Sequence, residues 1–381
     1  MNVLILGGDG FCGWPIALRL TKEGCNVLIV DNLVRRKIDI ELSTNSLTYI
    51  ADIETRIECA TKVFGKISFS NIDIVYEAEE LRAKIKQFRP NAIVHLAELK
   101  SAPYSMIDDF HRRKTIDSNT MATHNICSAI VDIDPKIHLV HVGTMGVYGY
   151  DSQSGIIPEG YDAIKIDGAA ELPPLYPTNP GSIYHLSKVI DQQIFQYYSK
   201  HWNIKITDLH QGIVWGVNTP ETVASKVLNN RFDYDGIYGT VLNRFLASAA
   251  AQRPLTVYGT GEQSRAFINI NDSVNCAMLS LKSNLFSSKR TRIYNQFSEI
   301  SQLLVLAKLI SKQFGTEINF IPNPRSESVK NSLESTNNGL VSIGFKPTVI
   351  SEKLLGEVHD LALNNIQNYN EECVLTSPSW K

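Results

Sequence analysis

The sequence predicts an α/β fold, a doubly wound parallel sheet with a smaller mixed C-terminal substrate-binding domain. Three observations predict it. Apolar runs of strand length alternate with helical periodicity through the first half of the chain. The first run, Val3-Leu4-Ile5-Leu6, ends in a glycine-rich turn that opens a helix, and the second ends in an acid, Asp31.

In order, strands are expected at 2–6, 26–30, 67–70, 92–96, 137–143 and 204–209, with helices near 13–24, 77–88, 105–133 and 180–201. Right-handed crossovers between them give a parallel sheet. Residues 37–65 break the rhythm with two amphipathic segments, read as an inserted helical hairpin. After about residue 210 the pattern loosens. A polar stretch at 218–235 precedes a helix near 239–251 and short strands at 255–258 and 267–270. Helices near 300–314 and 351–369 follow, separated by Ile321-Pro322-Asn323-Pro324-Arg325. The division expected is a nucleotide-binding Rossmann-type domain at 1–210, with part of 255–298 returning to it, and a mainly substrate-binding domain at 211–381.

With 381 residues, 43% of them hydrophobic, the chain can bury a large core. The net charge of −2, without a basic stripe, gives no electrostatic footprint for nucleic acid. No apolar run reaches the roughly 20 residues that span a bilayer. Met1-Asn2 passes straight into the first strand, so a cytoplasmic chain without a leader is expected. Cys12, Cys25, Cys59, Cys127, Cys276 and Cys373 stand singly, as buried thiols in a reducing compartment do. The histidines form no H-E-x-x-H, and His138 and His141 face opposite sides of their strand; no metal site is expected.

The turn Gly7-Gly8-Asp9-Gly10-Phe11-Cys12-Gly13 carries the nucleotide reading. Its glycines allow a tight turn and close approach of a pyrophosphate to the N–H groups of the helix start. Asp31 should accept hydrogen bonds from the ribose hydroxyls, favouring NAD over NADP, although Arg35 and Arg36 nearby could pair with a 2′-phosphate.

Tyr184-His185-Leu186-Ser187-Lys188 places Tyr184 and Lys188 four residues apart on one helix face. An ammonium beside a phenol lowers its pKa from about 10, so that the phenolate can take a hydroxyl proton while hydride leaves. Upstream, Thr144 offers a hydroxyl to the reacting oxygen. The long segment between Thr144 and Tyr184, with Ser152, Gly155, Gly160, Pro173, Pro174, Pro177 and Pro180, reads as a lid.

These features resemble the extended short-chain dehydrogenases/reductases, and more local strings resemble the UDP-sulfoquinovose synthases among them. Those strings are Gly8–Trp14, Asp31–Arg36, Ser101–Met106, Gly143–Gly146, Tyr184–Lys188, Leu242–Phe245, Leu255–Gly259, Pro322–Arg325 and the final Ser379-Trp380-Lys381. The resemblance implies that UDP-glucose and sulfite become UDP-sulfoquinovose on an enzyme that recycles NAD. Tyr184, with Lys188 and Thr144, then oxidises the glucose C4 hydroxyl, water is lost across C5–C6, sulfite adds at C6, and C4 is reduced again.

Related sugar dehydratases carry an Asp-Glu pair after the catalytic Thr. Here Met145 and Gly146 stand there, and His185 becomes the candidate proton carrier. The resemblance also implies cofactor contacts from Asn32, Asp73, Ile74, Leu96, Asn119 and Val214. Substrate contacts come from Lys100, Thr144, Met145, Gln211, Thr240, Arg244, Gln263, Arg265 and Arg325, the arginines matching a diphosphate. Lys100 replaces a family arginine and Val147 an acid. A homodimer is expected from the family. A UDP-sugar 4-epimerase or dehydratase that uses no sulfite shares Tyr184 and Lys188; a silent NAD-sensing protein needs neither.

Overall fold

The computed structural model describes residues 1–149, 156–160, 178–283, 289–325, 327 and 333–375. Most of the segment read as a lid, and the final Ser379-Trp380-Lys381, lie outside the described residues.

The first half runs β1 (Asn2–Leu6), α1 (Gly13–Lys22), β2 (Asn26–Asp31), α2 (Val34–Glu41), α3 (Ile53–Phe64), β3 (Ile67–Asn71), α4 (Ala78–Phe88), β4 (Ala92–His95), α5 (Asp109–Ile133), β5 (His138–Val142), α6 (Ile183–Trp202) and β6 (Lys205–Gln211). The second half runs β7 (Ile213–Trp215), α7 (Val241–Ala250), β8 (Leu255–Tyr258), β9 (Ser264–Asn269), α8 (Ile270–Lys282), β10 (Arg292–Gln296), β11 (Glu299–Gln302), α9 (Leu303–Phe314), β12 (Ile318–Ile321), α10 (Asn338–Ser342), α11 (Glu352–Asn364) and α12 (Glu371–Leu375).

Seven strands pair in parallel in the order β10-β6-β5-β4-β1-β2-β3. Residues 3–6 of β1 and 92–94 of β4 are unbroken buried apolar runs because helices cover both faces. The direction of travel across the sheet reverses between them, so a crevice opens at their carboxyl ends. The seventh strand, β10, returns from the second half to pair with β6, and α8 packs on α1.

Local chemistry sets where the catalytic helices begin. The Asp108 carboxylate accepts from His111 N at 2.9 Å, so α5 starts after a separate 3₁₀ turn at Tyr104–Met106 instead of at 105. Ser182 caps α6 in the same way, accepting from His185 N at 3.2 Å.

Two expectations fail. The segments at 37–65 do form helices, but they are no hairpin. Ile38 of α2 packs with Leu99, Tyr104 and Tyr238, whereas Ile53 and Ala60 of α3 pack on Trp14 and the β1–β2 face. Residues 300–302, expected to begin a helix, belong to β11, which pairs antiparallel with β9; the ladder to β9 outweighs their helical spacing. In the second half, Trp215, Phe232, Phe245, Phe267, Leu306 and Leu355 share one core. Phe267, fully buried on the central strand of the β11-β9-β7 sheet, is its keystone. Phe267→Ala should cost about 3–5 kcal/mol in urea unfolding; a change under about 1 kcal/mol would show that this core is not cooperative with the rest.

Candidate active site

The glycine turn after β1 is too tight for side chains. A Cβ on Gly13 would lie 2.2 Å from the Gly7 carbonyl oxygen, and one on Gly7, itself at φ +83°, 2.6 Å from the Leu96–Ala97 backbone. The start of α1 thus presents bare N–H groups to the crevice, a cradle that fits a pyrophosphate. At the tip of β2, Asp31 Oδ2 accepts from Asp9 N at 3.0 Å and Oδ1 from Leu33 N at 2.8 Å. Burial, reinforced by the charge of Asp9, pushes Asp31 up to about 6.

The two arginines that left NADP open are committed elsewhere. Arg36 binds Asp9 through Nε at 2.6 Å and Nη2 at 2.9 Å, and Arg35 pairs with Asp39 and, at 3.1 Å, with Asp233. A 2′-phosphate would have to break these pairs.

A cavity of about 320 Å³ continues from this cradle between the sheet edge and the second half of the chain. Gly7, Gly10, Phe11, Cys12, Gly13, Leu96, Tyr184 and Val214 line it, while Asp31 and Arg35 line a small adjoining pocket. Asn32, Arg36, Asp73, Ile74, Asn119 and Lys188 line neither. Asn32 Nδ2 donates to Asp73 Oδ2 at 2.8 Å, and Ile74 is buried. The Asn119 amide is spent on Leu99 N at 2.8 Å and Ser187 Oγ at 2.9 Å, bracing the wall from behind.

Every substrate position read from the sequence lines the cavity. The Lys100 ammonium stands 4.9 Å over the Phe11 ring on the cavity wall, and desolvation by the surrounding protein pushes its pKa down. Gln211 donates to Ser273 Oγ at 2.6 Å, and Gln263 to the Tyr258 carbonyl at 3.1 Å. Arg244 Nη2 reaches the Tyr258 hydroxyl at 3.2 Å, Arg265 pairs with Glu327, and the buried Thr240 hydroxyl has no hydrogen-bond partner among the described residues.

Thr144 closes β5 and caps the next turn, its hydroxyl accepting from Gly146 N at 3.0 Å. Thr144, Met145, Tyr184 and His185 share the cavity wall. The His185 Nδ1 lies 2.9 Å from Ser182 Oγ. Burial, with Arg325 and Arg265 adding, pushes the imidazole down to about 3, so it is neutral in the working range.

Lys188 lies one layer deeper than its spacing suggested. It is 2% exposed, with Nζ 6.0 Å from the Tyr184 ring centroid. The ammonium touches Glu98, lies 3.0 Å from His141 Nε2, and lies 3.8 Å from Asp191. Sequence reasoning missed Glu98, His141 and Asp208. They come from three strands, after β4 and within β5 and β6, and only the carboxylate of Asp191, one turn beyond Lys188, left a local signal.

The NAD dependent epimerase/dehydratase family model matches residues 3–295. The chain is 40% identical to the chloroplastic UDP-sulfoquinovose synthase of Spinacia oleracea over all of its length and 79% of that protein's. It is 35% identical to the UDP-sulfoquinovose synthase of Sulfolobus acidocaldarius, over 91% of this chain and 88% of that one. The chain belongs to the NAD dependent epimerase/dehydratase family, among its UDP-sulfoquinovose synthases. Family members of known structure share the fold. A UDP-glucose 4-epimerase from Thermotoga maritima superposes with a TM-score of 0.71 at 18% identity, over 96% of this chain and all of that one. The UDP-glucuronic acid 4-epimerase of Bacillus cereus, solved with NAD, gives 0.70 at 20% identity, over 97% of this chain and all of that one.

NAD is the family's cofactor, and the Gly13 contact gives a direct check of its cradle. Gly13→Ala should weaken NAD binding at least about tenfold by calorimetry, and unchanged affinity would place the dinucleotide elsewhere.

Proposed function

We propose that this chain converts UDP-glucose and sulfite to UDP-sulfoquinovose. The observation that carries the proposal is one cavity joining the glycine cradle, Thr144, Tyr184 and His185 to a set of anion-binding side chains. NAD, held by the glycine turn and Asp31, would supply the hydride acceptor for the sugar's C4 and the donor for its later reduction.

The chain's residues do the rest. Thr144 and Tyr184 hold the C4 hydroxyl, and the Tyr184 phenolate, stabilised by the Lys188 ammonium, takes its proton. The resulting 4-ketone acidifies the C5 proton. The neutral His185 imidazole receives that proton and passes it to the C6 hydroxyl, which leaves as water. Bisulfite then adds through sulfur at C6, its proton going to C5, and Tyr184 returns its proton as C4 is reduced. The sum is UDP-glucose plus bisulfite to UDP-sulfoquinovose plus water. Arg244, Arg265 and Arg325 take the diphosphate, and Lys100, without a hydrogen bond or ion pair to any described residue, meets the incoming sulfur anion.

The site and assembly follow the family. No disulfide joins cysteines among the described residues, which suits the reducing cytoplasm. Phe110 and Met121 on α5 and Tyr197 and Trp202 on α6, the two helices packed most extensively on each other, leave large apolar side chains exposed; this face pairs with a second copy. Among the described residues no helix is long and apolar enough to cross a membrane.

Incubation with UDP-glucose and labelled sulfite should give a sulfur-bearing nucleotide sugar by mass spectrometry, and Tyr184→Phe should abolish both it and NAD reduction. A UDP-galactose product formed equally well without sulfite would favour a 4-epimerase instead. Sedimentation should show a dimer; a monomer at micromolar concentration would remove the second copy.

A further inference from the structure

The proposed chemistry treats Lys188 as a standing positive charge beside Tyr184, yet burial works against that charge. It pushes the ammonium down to about 8, against the opposing pull of Asp191 and Asp208. A buried cation persists only where anions and hydrogen bonds compensate for lost water.

The structure builds that compensation around one residue. Glu98 follows β4 and lines the cavity, and its side chain is 3% exposed. One carboxylate oxygen touches the Lys188 ammonium. The other lies 3.2 Å from His141 Nε2 and 3.4 Å from His95 Nε2. Ligand atoms of Glu98, His95 and His141 all lie within 4.8 Å of one another, a ring of the size that encloses a cation, and the Lys188 ammonium is the cation against it. The ring is braced from outside. His141 Nδ1 lies 2.7 Å from Asp208 Oδ1, and Asp208 Oδ2 lies 3.0 Å from His210 Nε2. His210 Nδ1 in turn lies 2.6 Å from the Tyr148 hydroxyl, which donates to Asn295 at 2.7 Å.

We propose that Glu98 is a positioning residue for hydride transfer: it holds Lys188 as a fixed ammonium one layer behind Tyr184, with His141 and Asp208 holding Glu98 in turn. The inference deepens the proposed function and rests on its reading of Tyr184 and Lys188 as the proton-handling pair. The groups facing the ammonium come from every element around it: Tyr184 and Asp191 on α6, Glu98 after β4, His95 on β4, His141 on β5 and Asp208 on β6. Glu98 is the one whose carboxylate touches the nitrogen.

The consequence has a definite sign. Without the Glu98 charge, burial deprotonates Lys188 within the working range, and Tyr184 loses the cation that stabilises its phenolate. Its pKa then climbs toward the ordinary value of a tyrosine.

Glu98→Gln, which keeps the shape of the side chain, tests this in two ways. Ultraviolet difference titration of the tyrosinate band, with Tyr184→Phe as the reference, reads the phenol directly and needs no substrate. The pH profile of NAD reduction by UDP-glucose in a single turnover reads its effect on chemistry. Both midpoints should rise by about one pH unit or more, cutting the rate at neutral pH roughly tenfold, and Glu98→Asp should restore part of the loss. Asp208→Asn, further out, should shift the titration the same way by less and serves if Glu98→Gln does not fold. Midpoints that stay in place or fall would overturn the role of Glu98. If the unmodified enzyme transfers no hydride from UDP-glucose, the proposed function fails instead, and the tyrosinate titration still decides the role of Glu98.

Discussion

The geometry of the site depends on the buried carboxylate of Asp9, in the middle of the glycine turn. It is 4% exposed and neutralised from two sides, by Arg36 from α2 and by Arg56 from α3 at 2.5 Å. Arg56 is itself fully buried, with its guanidinium 3.8 Å over the Trp14 ring of α1. Asp9 also donates its backbone N–H to Asp31, so one residue ties the turn to α2, α3 and the tip of β2. Removing either charge would leave the other unpaired in a poorly solvated place, which is why such a cluster fixes position more than it adds stability.

The same pairing reaches the second half of the chain. Arg35 of α2 meets Asp233, Arg231 meets Asp39 at 2.5 Å, and the Arg35 guanidinium lies 3.7 Å over the Tyr238 ring. Residues 231–238 therefore close the cavity beside the nucleotide cradle because of charges on the inserted helix α2. An insertion that broke the sequence rhythm turns out to be the clasp between the two halves.

That clasp marks the limit of what the sequence disclosed. The parallel sheet and the glycine cradle were legible because their signals are local: apolar runs, a turn that tolerates no Cβ, and an acid at a strand tip. Thr144, Tyr184, Arg244 and Arg325 lie in contiguous strings, Gln211, Thr240, Gln263 and Arg265 were expected from the resemblance alone, and all of them line one cavity. What escaped was long-range. Nothing near position 98 announces a partner at 188, and His141 and Asp208 meet only because β5 and β6 pair in register, His141 opposite Asp208. The hairpin reading of 37–65 failed for a related reason: helical periodicity reports a face to be buried, not the neighbour that buries it.

Gly146 shows how an apparent deficit becomes a design. In the sequence, Met145 and Gly146 stand where sugar dehydratases keep two acids, and the position looks vacated. In the structure a Cβ on Gly146 would lie 2.3 Å from the His185 imidazole. The ring fills the space that a side chain there would need, so a carboxylate at 146 and an imidazole from 185 exclude each other. The helix start supplies what the strand end cannot. Ser182 both caps α6 and contacts the ring at 2.9 Å, holding it against the glycine. Under the proposed function this neutral ring takes the C5 proton, and it adds no charge to a wall that would also admit the sulfur anion.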